Sequence, residues 1–498
     1  MAAVPFTQQD SLYIGGAFVK PAGGEREAVL NPATEEVIGM APVGGIEEAE
    51  IAVTAAREAF DKGPWPRLSM AERIEYVRRF GAAIQTRAPQ IKALLTAEVG
   101  STYLLNETVQ FQSVLDGIAY CIELATAHQS TYAPIKISQN LINPTGPAVI
   151  GSAVILHEPV GVVACISPYN FPFMLTMLKV VPAILAGNTT VIKPSQLTPF
   201  CSLLIGELAE EAKIPKGVVN VLNGGPAMGT LITTDARVDM VSFTGSDTVG
   251  SAIMAQAAPT LKRMHLELGG KSGMIIRGDA DIQAAAMAAT ANFTIHAGQG
   301  CALNTRAIVH NSIRPQFVQM VKAILGNWKI GNPADPTVLM GPLIRENSRS
   351  KTERYVQIGL DAGAKLIVGG KRPAEFKKGF FFEPTLFDDV DNKSRIAQEE
   401  IFGPVGVVIG FDTDQEAVDI ANDSNFGLHG GVHSADRAKA FEMALQIRAG
   451  QVWLNGGVAN MYVRVPFGGY KRSGVGREMG PGWLKEFMQE KAIVYPIG

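Results

Sequence analysis

Apolar and polar residues follow one another along this chain in two different rhythms. Up to about residue 130 the rhythm is helical. Between 46 and 60, Ala49, Ala52, Val53, Ala56, Ala59 and Phe60 recur every three or four residues, which places them on one helix face. Ser69 followed by Glu72 has the chemistry of a capping box, with Ile74, Val77 and Ile84 as the stripe behind it. Before these helices, YIGGAFV (13–19) reads as a short extended start. Residues 131–157 break the rhythm. Pro134, Pro144, Gly146, Pro147 and Gly151 cut them into short apolar pieces, which predicts extended strands in a protruding hairpin.

From residue 160 the second rhythm begins. Continuous apolar runs, VGVVACI (160–166), TTVIK (189–193), VVNVL (218–222), VDMVSF (238–243) and GMIIR (273–277), are separated by helix-length segments. Buried strands alternating with helices predict a doubly wound α/β sheet covered on both faces. Ligands of such a sheet sit beyond the carboxyl ends of its strands. RAIVHN (306–311) and KLIVGG (365–370) predict a second alternating region, which ends in a Gly-rich stretch at 455–482.

Composition narrows the function classes. A length of 498 residues, at about 150 per domain, suggests roughly three domain-sized units. With 47% hydrophobic and 18% charged residues, the chain builds a large core and is not disordered. A net charge of -3 supplies no basic field for nucleic acid or an anionic membrane. The charge-free stretches 159–178 and 282–305 are broken by Pro168, Asn170 and Pro172 or mixed with polar residues, so neither predicts a membrane span. Cys121, Cys165, Cys201 and Cys301 make no CxxC pair and no disulfide framework. The opening MAAVPFTQQD lacks the layout of a signal peptide, and a reducing cytoplasm is expected.

The candidate chemistry follows the strand ends. The run 238–243 leads into FTGSDTVG (243–250), where Gly245 permits a tight turn and Ser246 opens a helix whose N–H groups suit a pyrophosphate. There is no GxGxxG, and an ordinary strand-to-helix turn explains this segment equally well. Lys193 ends the run 189–193 ahead of Pro194, placed for a ribose or phosphate, although a solvated charge is the commoner state of such a lysine. Cys301, in HAGQGCALNTR (296–306), lies outside the apolar runs that hold the other cysteines. Gly298 and Gly300 leave room for a substrate to approach its sulfur, whereas a single cysteine is more often a structural thiol. Glu267, between Leu266 and Leu268, is a carboxylate in apolar surroundings. Desolvation there raises a pKa toward that of a general base, and a surface position on an edge strand is the even alternative. Asn170, held between Pro168 and Pro172, either donates to an oxyanion or shapes a turn.

Taken together and in this order, EPVGVVACISPYNFPF (158–173), VIKPS (191–195), FTGSDTVG, LELGGKS (266–272), GQGC (298–301), EEIFGPV (399–405) and PFGGYKRSGVGREMG (466–480) resemble the aldehyde dehydrogenase superfamily over nearly the whole chain. The resemblance implies Cys301 as nucleophile, Glu267 as general base and Asn170 as oxyanion donor beside the Cys301 backbone N–H. It implies a nicotinamide cofactor held by Ser167, Lys193, Gln196, Gly245, Ser246, Glu400 and Phe402, and a reaction through a thiohemiacetal and a thioester without any metal. It also implies a Rossmann-like cofactor domain (1–130 and 158–266), a second α/β catalytic domain (267–478) and a small β oligomerisation element (131–157 and 479–498) that builds a homodimer or homotetramer.

This chain departs from the family pattern in ways that bear on specificity. Gln196 replaces the Glu usual in NAD-preferring members, and a neutral amide does not repel a 2′-phosphate, so NADP is expected to be accepted beside NAD and favoured. Tyr169 stands where Trp is usual, and Gly300 and Ala302 make small walls beside the sulfur. By the same resemblance Phe171, Met174, Leu175, Leu178 and Phe467 line the substrate tunnel, which implies an apolar or aromatic aldehyde. Arg464 leaves a semialdehyde open, although a solvated loop arginine is the commoner case. Acyl transfer to coenzyme A or phosphate would dispense with Glu267, and a non-catalytic protein would dispense with Cys301. Both residues are present. A nicotinamide retained and recycled in place remains open.

Overall fold

The computed structural model describes residues 7–457 and 461–497; the opening residues of the signal-peptide argument and the start of the loop before Arg464 lie outside them. The helical rhythm of the first third is realised. Ile46–Asp61 buries Ala49, Ala52, Val53 and Ala56, and Met70–Thr86 begins on the Ser69 capping box, with the Ser69 N–H donating to Glu72 at 2.7 Å. The extended start is instead a hairpin. Gly15 and Gly16, at φ of 61° and 79°, turn Leu12–Ile14 back on Ala17–Val19, a left-handed turn that glycine adopts without Cβ strain.

The first sheet has eight strands. Its parallel core places Val162–Ile166 between Thr189–Lys193 and Met240–Thr244, with Val219–Val221 beyond the former and Arg263–Glu267 beyond the latter. The chain therefore winds first to one side of Val162–Ile166 and then to the other. That reversal opens a crevice at the carboxyl ends of Val162–Ile166 and Met240–Thr244, where Ser167–Asn170 and Gly245–Ser246 emerge. Pro172–Leu185, buried along its whole length, carries the chain away from the first of those ends.

A second, seven-stranded sheet holds Gly273–Ile276, Arg306–His310, Thr385–Asp388, Val405–Phe411, His429–His433 and Gln451–Leu454 in parallel, with Lys365–Val368 antiparallel at one edge. Thr131–Tyr132, Lys136–Ser138 and Val149–Pro159 form an antiparallel sheet with Met488–Pro496, so the Pro- and Gly-cut segment is strand, as its pattern predicts. No helix among the described residues is long and apolar enough to cross a membrane.

Candidate active site

Pro168, Tyr169, Asn170, Thr244, Gly245, Ser246, Gly269, Cys301, Arg345, Ser348, Lys351, Glu400 and Phe402 enclose a cavity of about 450 Å³ between the two sheets. Cys301 reaches it on a loop of unusual backbone. His296 and Ala297 lie at φ of 52° and 53°, a left-handed conformation that costs non-glycine residues about 1–3 kcal/mol each. Gly298 follows at φ 73°, and a Cβ there would come within 2.1 Å of the Gly403 carbonyl oxygen. Gln299 pins the loop: its amide donates to the His296 carbonyl at 3.0 Å and accepts from the Ile344 N–H at 3.0 Å. Strain held by surrounding hydrogen bonds is how a fold presents a reactive side chain in one position.

The thiol is half-buried, whereas Cys121, Cys165 and Cys201 are buried in the core. Burial, together with the Glu400 and Glu267 carboxylates, pushes the Cys301 thiol up to about 12. Asn170 lines the same cavity. Its Nδ2 donates one proton to the Gln299 carbonyl at 2.7 Å, and its main-chain carbonyl accepts from Gln110 Nε2 at 3.1 Å. The first bond restrains the side-chain amide and the second its backbone, and one of the two Nδ2 protons is not used by the first bond. Ser167 is occupied otherwise: its hydroxyl accepts from Thr176 Oγ1 at 2.7 Å, and it does not line the cavity.

Glu267 sits at the end of Arg263–Glu267 and does not line this cavity either. Its Oε1 would lie 2.7 Å from a Cβ on Gly468, and it is 3.6 Å from His265 Nε2. Neither of its oxygens has a hydrogen-bond partner among the described residues. Burial and the neighbouring Glu478 carboxylate raise its pKa well above the ordinary range. Behind it lies a buried ion pair that the motifs did not single out. Lys179 Nζ is 2.5 Å from Glu478 Oε1, and His265, neutral with its pKa pushed down to about 4 by burial, lies between the two carboxylates. The sequence signal for Lys179 is one charge in the otherwise apolar PFMLTMLKVVPAIL. Lys179→Met leaves Glu478 charged and alone in the interior, and we expect a loss of about 3–5 kcal/mol. Denaturation midpoints check this, with Lys179→Met/Glu478→Gln recovering most of the loss.

The other cavity walls suit a nucleotide. Ser246, in the cavity wall, caps Asp247–Ala257, its hydroxyl accepting from the Val249 N–H at 3.3 Å, so that helix begins at the cavity. A Cβ on Gly245 would strike the Phe243 ring, so the turn presents bare backbone. Thr244 lines the cavity, and its buried Oγ1 has no partner among the described residues. Glu400, pushed up to about 7 by burial, accepts from the Gly270 N–H at 3.1 Å. The Phe402 ring meets Tyr169 edge-on at 6.0 Å. Arg345, Ser348 and Lys351, at the start of Glu346–Asp361, complete the wall and carried no motif signal.

Lys193 and Gln196 lie outside this cavity, facing Pro226–Thr234: Cβ atoms built on Gly229 and Gly225 would be 3.6 Å from the Lys193 stem and 3.8 Å from Gln196 Oε1. Burial pushes the Lys193 ammonium down to about 8, and among the described residues it makes one hydrogen bond, to the Pro194 carbonyl. Met174, Leu175, Leu178 and Phe467 are buried and Phe171 packs on the His296 ring, but none of these five lines the cavity. Arg464 is paired bidentately with Glu123, at 2.8 and 2.6 Å, over the Tyr120 ring. No group of three or more His, Cys, Asp or Glu able to hold a metal occurs among the described residues.

The aldehyde dehydrogenase family profile matches residues 18–493. Betaine aldehyde dehydrogenase of Bacillus subtilis is 37% identical over 97% of this chain and 96% of its own length. The 3-succinoylsemialdehyde-pyridine dehydrogenase of a Pseudomonas species is also 37% identical, over 97% of this chain and 98% of its own. The crystal structure of betaine aldehyde dehydrogenase from Staphylococcus aureus in complex with NAD+ superposes with a TM-score of 0.91 at 36% identity, over 98% of this chain and 94% of that one. This chain belongs to the aldehyde dehydrogenase family. It is an oxidoreductase of the NAD(P)-dependent, aldehyde-oxidising class.

Proposed function

We propose that Cys301, Asn170 and Glu267 carry the reaction, and that the substrate is an apolar or aromatic aldehyde. The observation that supports this most is one half-buried thiol, on a strained loop, sharing a cavity with a fixed asparagine amide and a helix N-terminus. The Cys301 sulfur, once its proton has left, bonds to the aldehyde carbon, and the carbonyl electrons move to an oxygen held by Asn170 Nδ2–H. A nicotinamide held in this cavity would supply the acceptor for the hydride that leaves that carbon. The sulfur then carries a thioester, and Glu267 accepts a proton from the water that cleaves it, releasing the acid and the thiolate. Asn170→Ala removes one oxyanion donor, and we expect kcat to fall about 10²–10³-fold with little change in cofactor affinity, as steady-state kinetics and titration will report.

Ser246, Gly245, Glu400 and Phe402 hold the pyrophosphate and nicotinamide ribose in this reading, while Lys193 and Gln196 meet the adenosine ribose. Gln196 admits NADP beside NAD. Arg464 is neutralised by Glu123, which weighs against a carboxylated substrate. Residues 1–130 and 158–266 serve the cofactor and 267–478 the chemistry. Residues 131–157 and 479–498 serve assembly, for which the exposed Tyr132, Ile135, Ile137 and Val494 offer an apolar face. A free nucleophilic thiol suits a reducing cytoplasm. A panel of aliphatic, aromatic and carboxylated aldehydes, followed at the reduced-nicotinamide absorbance, tests the substrate class. Turnover highest on apolar or aromatic aldehydes is expected, and turnover confined to carboxylated ones would overturn it.

A further inference from the structure

The position usually filled by a cofactor-reading carboxylate is Gln196 here, yet a carboxylate is beside it. Gln196 Nε2 donates to Glu27 Oε2 at 2.9 Å. A carboxylate only accepts, so this bond turns the donor end of the amide to Glu27 and leaves the acceptor end, Oε1, toward Gly225 at the start of Pro226–Thr234. Glu27 comes from far earlier in the chain, on Arg26–Leu30, where it pairs with Ala41 in an antiparallel hairpin with Val37–Pro42. That hairpin is tied to the sheet at the carboxyl end of Val219–Val221: Asn223 Nδ2 donates to the Pro42 carbonyl at 2.8 Å, and the Gly44 N–H donates to the Asn223 carbonyl at 2.8 Å. The hairpin therefore holds Glu27 over the ends of Thr189–Lys193 and Val219–Val221.

We infer that Glu27, acting through Gln196, is the residue by which this protein discriminates against a 2′-phosphate on the adenosine ribose. The inference rests on the proposed placement of that ribose at Lys193 and Gln196. A ribose hydroxyl has a proton to donate to Gln196 Oε1. A phosphate ester has only acceptors and about two negative charges, so it meets an acceptor and, behind it, a like charge. Lys193 attracts the same phosphate, and Glu27 offsets that attraction. Gln196 alone thus favours NADP by losing a charge, and the hairpin returns the charge from another part of the chain.

Calorimetric titration of NAD and NADP into the wild type, Glu27→Gln, Gln196→Glu and Lys193→Ala tests this without reference to turnover. Glu27 is exposed, so Glu27→Gln leaves the fold intact, as circular dichroism checks. The expected result is NADP binding tightened about tenfold at low salt in Glu27→Gln, NAD affinity within about twofold, and the gain shrinking as salt screens the charge. An unchanged NADP-to-NAD ratio in Glu27→Gln overturns the inference. If Lys193→Ala or Gln196→Glu still weakens NADP in that case, the ribose placement stands and only the role of Glu27 falls. If all three variants leave both affinities unchanged, the placement falls too, and the inference with it.

Discussion

Cys301→Ala is expected to lower aldehyde oxidation by roughly 10⁴-fold or more while NAD affinity stays near that of the wild type. Truncation removes only the sulfur from a cavity that Ser246, Glu400 and Phe402, the proposed cofactor contacts, also line. No other thiol can substitute. Cys121, Cys165 and Cys201 are buried, and desolvation raises the pKa of each, as it does in an inert core thiol. Turnover kinetics paired with calorimetric titration make the test. Retained turnover removes Cys301 as nucleophile, whereas lost NAD affinity shows that the substitution disturbed the cavity.

The second large effect belongs to Glu267→Gln. An amide keeps the volume and loses the base, so acylation proceeds and hydrolysis of the thioester slows by about 10²–10⁴-fold. Stopped-flow absorbance should show one burst of reduced nicotinamide per active thiol, then a slow steady state. The pH dependence follows from the same environment. In the free protein desolvation favours the protonated form of both groups: burial pushes the Cys301 thiol up to about 12, and burial with the Glu478 carboxylate raises Glu267. Each works only after losing that proton, so kcat/KM should rise from neutral into alkaline pH. The Glu267 carboxylate is itself part of what raises the thiol, so Glu267→Gln should shift alkylation of Cys301 by iodoacetamide toward lower pH.

What the sequence made legible here is what is local. The Ser69 capping box, the buried runs from Val162 onward and the short segments carrying Asn170, Gly245 and Cys301 are each written within a few residues. Their chemistry follows strand ends that periodicity locates. The single extended start became a hairpin because Gly15 and Gly16 together turn the chain within two residues. What was not legible depends on contacts between remote parts. Lys179 and Glu478 are 299 residues apart, and Glu27 and Gln196 are 169 apart. Nothing in either segment states its partner. Arg345, Ser348 and Lys351 carry no motif, and they reach the cavity only because Glu346–Asp361 begins against it. Gln196 shows the consequence: read alone it is a neutral amide, and in the fold it is half of an amide–carboxylate pair.

The proposed reaction turns on a thioester at Cys301 that Glu267 resolves. Intact-mass and peptide-mass analysis of Glu267→Gln, acid-quenched milliseconds to seconds after mixing with NAD and an aromatic aldehyde, examines that directly. An added acyl group is expected on the peptide containing Cys301, building up with the burst and decaying at the steady-state rate. An unmodified Cys301 throughout a burst of cofactor reduction would contradict it.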